Sequence, residues 1–189
     1  MKKRKIPSIK KYRFPLRLGL VVLLAAMFAI WPAVPKQTLL PEAGPEDSPF
    51  HLLIPKIKVE APIIAEVDGS NKDLYLPALE QGVAHFKNTA KPGEGSNIFL
   101  FGHSSYYPFL PGAYKEIFRH LQKLTTGDLI IVSFKNRLYY YRVSETKIVE
   151  PEDVKALQPT AGEQITLMTC VPPGTTLKRL LVIGKPVQQ

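Results

Sequence analysis

The sequence predicts a mostly all-β domain, either a closed barrel or a sandwich, behind an N-terminal membrane anchor. From Phe50 onward, eight or so short apolar runs alternate with turn residues, a pattern typical of all-β folds. Only residues 114–121 show a clear helical spacing of apolar side chains. Ahead of this domain, a basic segment precedes an uncharged apolar run. The order of these features predicts an anchor first and a β domain second.

The charge of the chain is concentrated at its N-terminus. The 189 residues carry a formal net charge of +9. Residues 1–17 hold eight basic side chains and no acid, and subtracting these eight from the 25 leaves 17 basic against 16 acidic residues. The rest of the chain is therefore nearly neutral, which excludes nucleic-acid binding as its function. We interpret residues 1–17 as a basic cytoplasmic arm.

Residues 18–34 are predicted to span the membrane. This run carries no charge, and its 17 residues just reach the lower limit for crossing a bilayer at about 1.5 Å per residue. Trp31 lies where an interfacial aromatic residue is expected. A cleaved signal peptide is the alternative, but the run ends without a small-x-small cleavage site. Because the basic side stays in the cytoplasm, we expect a single-pass protein whose C-terminal domain is extracellular. Residues 35–49, with four prolines, are predicted to form an extended stalk.

Residues 50–189 are predicted to form one β domain. Lys135-Asn136-Arg137 lies between two apolar runs and predicts a hairpin loop. The helical stretch at 114–121 places Phe118 and Leu121 on one face, and a shorter turn is expected at 152–157. The predicted strands are residues 51–54, 59–64, 82–86, 97–101, 129–134, 138–143, 146–149, 164–170 and 179–183.

Cys170, the only cysteine, is the candidate nucleophile. It ends an apolar run, turn residues 171–176 follow it, and Arg179 begins the next apolar run. A nearby cation favours the thiolate, which is the reactive form of cysteine. The alternative is that Cys170 is a small buried hydrophobe, as most free cysteines are. Its position at a strand exit, facing a cation, favours the nucleophile.

His103 is the best candidate for the acid or base that such a nucleophile needs. It follows strand 97–101, in the segment Gly102-His103-Ser104. His51, His85 and His120 lack a second convergent group, and His85 is predicted to be a packed or surface residue. A single cysteine cannot form a zinc cage, and no two histidines have ligand spacing. The acids of loop 150–153 are expected to be solvated, so we predict no metal and no cofactor.

These motifs resemble those of the sortase family, the cysteine transpeptidases of the Gram-positive cell surface. Thr166–Cys170 matches the T-L-x-T-C signature of that family, and Arg179 matches its arginine on the following strand. Residues 97–103 match the strand that ends in Gly-His, and residues 54–57 resemble the opening strands. The resemblance covers residues 50–186 in the expected order.

The resemblance implies a closed eight-stranded β-barrel and cleavage of an L-P-x-T-G-like sorting signal between Thr and Gly. It implies that Cys170 forms a thioester and that His103 gives a proton to the departing amine. Arg179, which stays charged, is suited to holding the oxyanion. Thr169 is expected to bind substrate in the groove. The implied partners are surface proteins with a C-terminal sorting signal, an amine acceptor on a peptidoglycan precursor or a pilin, and the membrane.

Two other functions fit parts of the sequence. The first is another thiol acyl-transferase of the wall, the L,D-transpeptidase type, whose cysteine follows a Ser-His-Gly segment. Here residues 167–169 are Leu-Met-Thr, which counts against it. The second is a membrane-tethered β domain that only binds a partner and keeps Cys170 in its core. Reactivity of the thiol separates the catalytic functions from the non-catalytic one.

Overall fold

The computed structural model describes residues 50–105 and 112–187. Within these two ranges, no helix is long and apolar enough to cross a membrane. The predicted arm, anchor and stalk, residues 1–49, lie outside the described residues, so these interpretations stay predictions.

Eight strands of the described residues close into a barrel, as the resemblance predicts, and the sandwich alternative is wrong. Around the barrel the strands follow the order β1-β2-β3-β4-β7-β8-β6-β5, and β1 pairs with β5 to close it. Two neighbouring pairs, β2–β3 and β4–β7, are parallel, whereas the others are antiparallel. The strands are β1 (His51–Ile54), β2 (Val59–Val67), β3 (Val83–Phe86), β4 (Asn97–Phe101), β5 (Leu129–Phe134), β6 (Arg137–Val149), β7 (Gln164–Val171) and β8 (Lys178–Pro186).

Strand β4 is buried along its whole length because both of its faces are covered. Ile98 and Leu100 point into the barrel core. Phe99 and Phe101 belong to a second apolar cluster, to which a helix between β2 and β3 contributes Leu79. A strand covered on both faces appears in the sequence as a continuous apolar run, which is why Asn97–Phe101 shows no alternation.

Most strand predictions are confirmed, and one is corrected. The predicted strands 138–143 and 146–149 form one strand, β6, whose pairing with β8 shifts register between Val143 and Glu145. A bulge of this kind absorbs an extra residue without ending the strand, so the polar residues Ser144 and Glu145 do not interrupt β6. The hairpin loop before β6 is confirmed. Lys135 and Asn136 both adopt positive φ, at 48° and 59°, as a tight two-residue loop requires.

The helix predicted at 114–121 is wrong. The structure has consecutive turns there and a 3₁₀ helix at Leu121–Lys123. The amide of Phe118 donates to the His103 carbonyl at 2.9 Å, so it does not form the hydrogen bond that an α-helix would need at this position. Phe118 and Leu121 are nevertheless both fully buried, as their shared face predicts. The turn predicted at 152–157 is confirmed as a 3₁₀ helix at Val154–Leu157.

The sequence did not predict helix α1 (Lys72–Gln81), which is the one α-helix of the described residues. Pro77 lies inside it, and proline in a helix interior is normally a helix breaker. Its start does carry a recognisable signal, because the side chain of Asn71 caps it by accepting from the Asp73 amide at 3.0 Å. The helix packs Ala78 and Leu79 against the outer face of the barrel.

Candidate active site

The site lies where β4 and β7 end side by side. The two strands are parallel and pair from Asn97 opposite Gln164 to Phe101 opposite Met168. Strand β4 ends at Phe101 and is followed by Gly102 and His103, whereas β7 continues to Val171. Parallel strands bring their C-terminal ends to one edge of the sheet, and this places the histidine segment beside the end of the cysteine strand.

Cys170 and Arg179 lie opposite each other. Strands β7 and β8 are antiparallel, and these two residues are direct partners in their register. Directly opposite residues project to the same face of a sheet, with Cβ atoms about 4.5–5.5 Å apart. Cys170 is a free thiol and partly exposed. The thiol is thus accessible, and the side chain of Arg179 projects from the same face of the sheet.

One groove of about 670 Å³ gathers all four residues predicted from the sequence: His103, Thr169, Cys170 and Arg179. Helix α1 provides an apolar wall with Tyr75, Leu76 and Leu79, and β4 and β7 add Phe101 and Met168. The β7–β8 loop closes the other side. The remaining lining residues are Gly69, Lys72, Gly102, Ser104, Ser105, Gly174, Thr175 and Thr176.

His103 is half-buried, and this burial lowers the pKa of its imidazole below the usual 6.5. The negative charge of Glu80 on α1 opposes this effect, but desolvation is the larger influence. The imidazole is therefore mostly neutral at neutral pH. A neutral imidazole can accept a proton from a thiol and later return it to a leaving group.

The guanidinium of Arg179 is held by the loop that precedes its own strand. Its Nη1 donates to the carbonyls of Thr176 and Lys178, at 3.0 Å and 3.2 Å. Among the ion pairs of the described chain, none involves Arg179. Two main-chain carbonyls thus fix the position of a positively charged side chain that lines the groove.

Thr169 is almost fully buried, with 2% of its surface exposed. Its hydroxyl donates to the Gly102 carbonyl at 2.8 Å. The hydroxyl proton is therefore used inside the protein, and a substrate contact by Thr169 stays a prediction from the resemblance.

Ser104 and the α1 wall are features of the groove that the sequence analysis missed. Ser104 is 2% exposed, and among the described residues its Oγ atom has no hydrogen-bond partner. Its place directly after His103 was the signal that could have drawn attention to it. For the wall formed by α1, the signal was Asn71, a residue type that commonly caps the start of a helix.

His85 lies outside this groove and is packed, one of the two positions predicted for it. It is fully buried, with Nδ1 accepting from the Glu66 amide at 3.4 Å. Its Nε2 lies 3.0 Å from the Ala90 carbonyl and 3.1 Å from Thr89 Oγ1. Burial lowers the pKa of His85, so it is a neutral structural residue. No group of three potential metal ligands is found in residues 50–105 and 112–187.

Comparison with known proteins agrees with this geometry. The family model described as "Sortase domain" matches residues 52–187. Sortase D of Bacillus subtilis strain 168 is 30% identical over 156 residues, which cover 80% of this chain and 69% of that protein. Sortase SrtE1 of Streptomyces coelicolor is 33% identical over 156 residues, but only 41% of it is covered, against 74% of this chain.

Solved structures are similar as well. Sortase C-1 from Actinomyces oris superposes with a TM-score of 0.63 at 30% identity, covering 76% of this chain and 77% of that one. Sortase A from Corynebacterium diphtheriae gives a TM-score of 0.61 at 28% identity, covering 77% and 63%. The names of these four relatives carry the letters D, E, C and A, so the similarity is not confined to one subclass of sortases.

Proposed function

The chain belongs to the sortase family of cysteine transpeptidases, and we propose that it cleaves an L-P-x-T-G-like sorting signal between Thr and Gly. The acyl part of the signal is then transferred to an amine of the cell wall or of a pilin. The observation that carries this proposal is the pairing of Cys170 with Arg179, in one groove with His103. The family match favours this activity over the two alternatives raised by the sequence.

The first half of the proposed reaction produces a thioester. Neutral His103 takes the thiol proton of Cys170, and the resulting thiolate attacks the carbonyl carbon of the signal's threonine. The carbonyl oxygen becomes an oxyanion, which Arg179 stabilises with its charge and its N–H donors. The carbon–nitrogen bond then breaks, and the imidazolium of His103 gives its proton to the departing amine.

The second half reverses these proton movements. An incoming amine attacks the thioester carbonyl and loses a proton to His103. The carbon–sulfur bond breaks, and Cys170 regains its proton as a thiol. Every proton that His103 accepts is given back within the cycle, and no atom is oxidised or reduced. The side chains of the groove can therefore carry out the proposed proton transfers. The acceptor is an amine of a peptidoglycan precursor or of a pilin, with water as the competing nucleophile.

The experiment compares full-length parent protein with Cys170→Ala, using a quenched fluorescent sorting peptide and an amine acceptor. The parent should release the Gly-containing fragment and form an acyl-enzyme visible by mass spectrometry. Cys170→Ala should do neither. Turnover of the peptide by the alanine variant at the parent rate would exclude Cys170 as the nucleophile.

We also propose that residues 18–34 anchor the protein in the cell membrane with the N-terminus inside. The basic arm before this run and the Pro-rich stalk after it support that orientation. External protease on intact cells should release a fragment that starts within residues 35–49. Mature protein free in the medium, with its N-terminus near Lys36, would indicate a cleaved signal peptide instead.

A further inference from the structure

Gly102 is bonded to β7 through both of its main-chain polar groups. Its amide donates to the Met168 carbonyl at 3.1 Å. Its carbonyl accepts the Thr169 hydroxyl at 2.8 Å. Gly102 directly precedes His103, and Thr169 directly precedes Cys170. A single side-chain hydrogen bond therefore joins the residue before the proposed base to the residue before the proposed nucleophile.

The environment of this bond keeps water away from it. Thr169 is 2% exposed, and Gly102 is also buried. Water cannot readily replace a donor at such a place, so the Gly102 carbonyl depends on Thr169 for this bond. Without the Thr169 hydroxyl, Gly102 would keep only one of its two hydrogen bonds to β7, the main-chain bond to Met168.

The other side of the same segment is held by Phe118. Its amide donates to the His103 carbonyl at 2.9 Å. Its ring lies so close to Gly102 that a Cβ atom there would be 2.9 Å from Phe118 Cδ2. The histidine segment is thus fixed between β7 and the turns at 113–120, with Thr169 as its side-chain contact to β7.

We infer that Thr169 is a positioning residue, which sets the place of His103 relative to Cys170 through the Gly102 carbonyl. This inference rests on the proposed function. Proton transfer needs heavy atoms within about 2.6–3.2 Å of each other, or one bridging water. A displacement of about 1 Å can cost on the order of 10²-fold in rate. Loss of the bond should therefore lower kcat, whereas a residue that only binds substrate would mainly raise KM.

The test uses Thr169→Val, which keeps the shape and loses the donor, and Thr169→Ser, which keeps the donor. Thr166→Val is the matched control. Thr166 lies on the same strand, is 1% exposed, and donates to Asn97 Oδ1 at 2.8 Å, outside the groove. We expect kcat to fall about 10–100-fold in Thr169→Val with KM nearly unchanged. The kcat of Thr169→Ser should stay within about threefold of the parent value. Thr166→Val should keep the parent kcat even if its Tm falls as much as that of Thr169→Val.

The inference would be overturned by a parent-like kcat in Thr169→Val, by an equal loss of kcat in Thr166→Val, or by a change confined to KM. A folded Thr169→Ser that is as impaired as the valine variant would also contradict it, because shape rather than the donor would then matter. If valine prevents folding, Thr169→Ala supplies the variant without a donor.

A second readout needs no sorting peptide and separates this inference from the proposed function. The rate at which iodoacetamide alkylates Cys170 depends on pH through the thiol and the neighbouring imidazole. Thr169→Val should change this pH profile, whereas Thr169→Ser and Thr166→Val should retain the parent profile. A parent protein that cleaves no sorting peptide but shows this pattern would refute the proposed function and leave the positioning role standing. An unchanged profile in Thr169→Val would refute the positioning role.

Discussion

Cys170 and Arg179 face each other across two antiparallel strands, and the guanidinium of Arg179 is tied to its own loop by two carbonyls. The strand register determines which face the arginine points to, and the carbonyls determine where its donors lie. Arginine suits this place because its planar group can bond the loop through one nitrogen and still present further N–H donors to the groove. A lysine has the charge but not this planar arrangement of several N–H donors.

The first prediction is that Arg179→Lys loses most activity while remaining folded. A lysine ammonium cannot bond both loop carbonyls and an oxyanion in the same geometry. We expect kcat/KM for a sorting peptide to fall about 10²–10³-fold, the usual cost of losing an oxyanion donor. Steady-state kinetics with the full-length protein measures this, and thermal unfolding checks that Tm is unchanged.

Lys178→Gln is the matched control for Arg179→Lys. Lys178 is the neighbouring cation, and its ion pair with Glu150 at 2.9 Å is exposed. Exposed pairs contribute little, so this variant should keep parent kinetics and stability. Parent-like kinetics in Arg179→Lys would mean that charge alone suffices. Parent-like kinetics in Arg179→Ala would remove Arg179 from the site.

The second prediction is that the protein loses stability as the pH falls below about 6.5. Burial lowers the folded-state pKa of His85 and of His103, so the unfolded chain binds protons more readily than the folded one. Their neutral forms therefore stabilise the fold fully above the unfolded pKa of about 6.5, and this stabilisation is lost as pH falls toward the lower folded pKa values. Urea unfolding at pH 7.5 and pH 5.0 measures the difference.

Non-titrating variants test the origin of this pH dependence. His85→Asn should show a smaller loss of stability between pH 7.5 and pH 5.0 than the parent, even if it is less stable at both. The pKa values of the Glu66, Asp68 and Asp128 carboxyls are lowered from ordinary values of 4.5, 3.8 and 3.8, so these groups should contribute little between pH 7.5 and pH 5.0. Equal or greater stability of the parent at pH 5.0 would contradict the prediction.

The third prediction concerns the buried hydroxyl of Ser104, which has no partner among the described residues. Burying an unpaired polar group costs free energy, so removing this hydroxyl removes a cost rather than a contact. Ser104→Ala should leave the free energy of unfolding unchanged or raise it by up to about 1 kcal/mol. Thr166→Val, which removes a satisfied buried hydroxyl, should instead lower it. A loss of more than about 1 kcal/mol in Ser104→Ala would show that the hydroxyl is bonded.

The sequence was sufficient for most of the strands and for the grouping of His103, Cys170 and Arg179. Each of these residues lies at the start or the end of an apolar run, and parallel or antiparallel pairing brings such ends together. The sequence was not sufficient for contacts between distant segments. The bond from Phe118 to His103 breaks a predicted helix, and the bond from Thr169 to Gly102 links residues 67 positions apart. Local patterns contain no signal for either.

The last prediction is that Glu163 stabilises the end of the barrel away from the groove without affecting catalysis. Its Oε1 accepts the hydroxyl of the fully buried Tyr141 at 2.7 Å. Its Oε2 accepts the amides of Gly93 and Gly95 at 3.0 Å and 3.2 Å. Both glycines have positive φ, 88° and 75°, which turns their amides toward one acceptor. Burial and this carboxylate raise the pKa of Tyr141, so its phenol stays a donor.

Glu163→Gln should lower the free energy of unfolding by about 1–3 kcal/mol. Glutamine has only one acceptor oxygen, so either the two glycine amides or the phenol would face an amide nitrogen, which cannot accept. Tyr141→Phe should cost about 1–2 kcal/mol, since it leaves Oε1 without its buried donor. The double variant should cost less than the sum of the two single changes, because both remove one shared bond. Urea unfolding measures all three, and kcat for a sorting peptide should stay at the parent value in each folded variant. Strict additivity would contradict the shared bond, and a fall in kcat without a fall in stability would connect Glu163 to the groove.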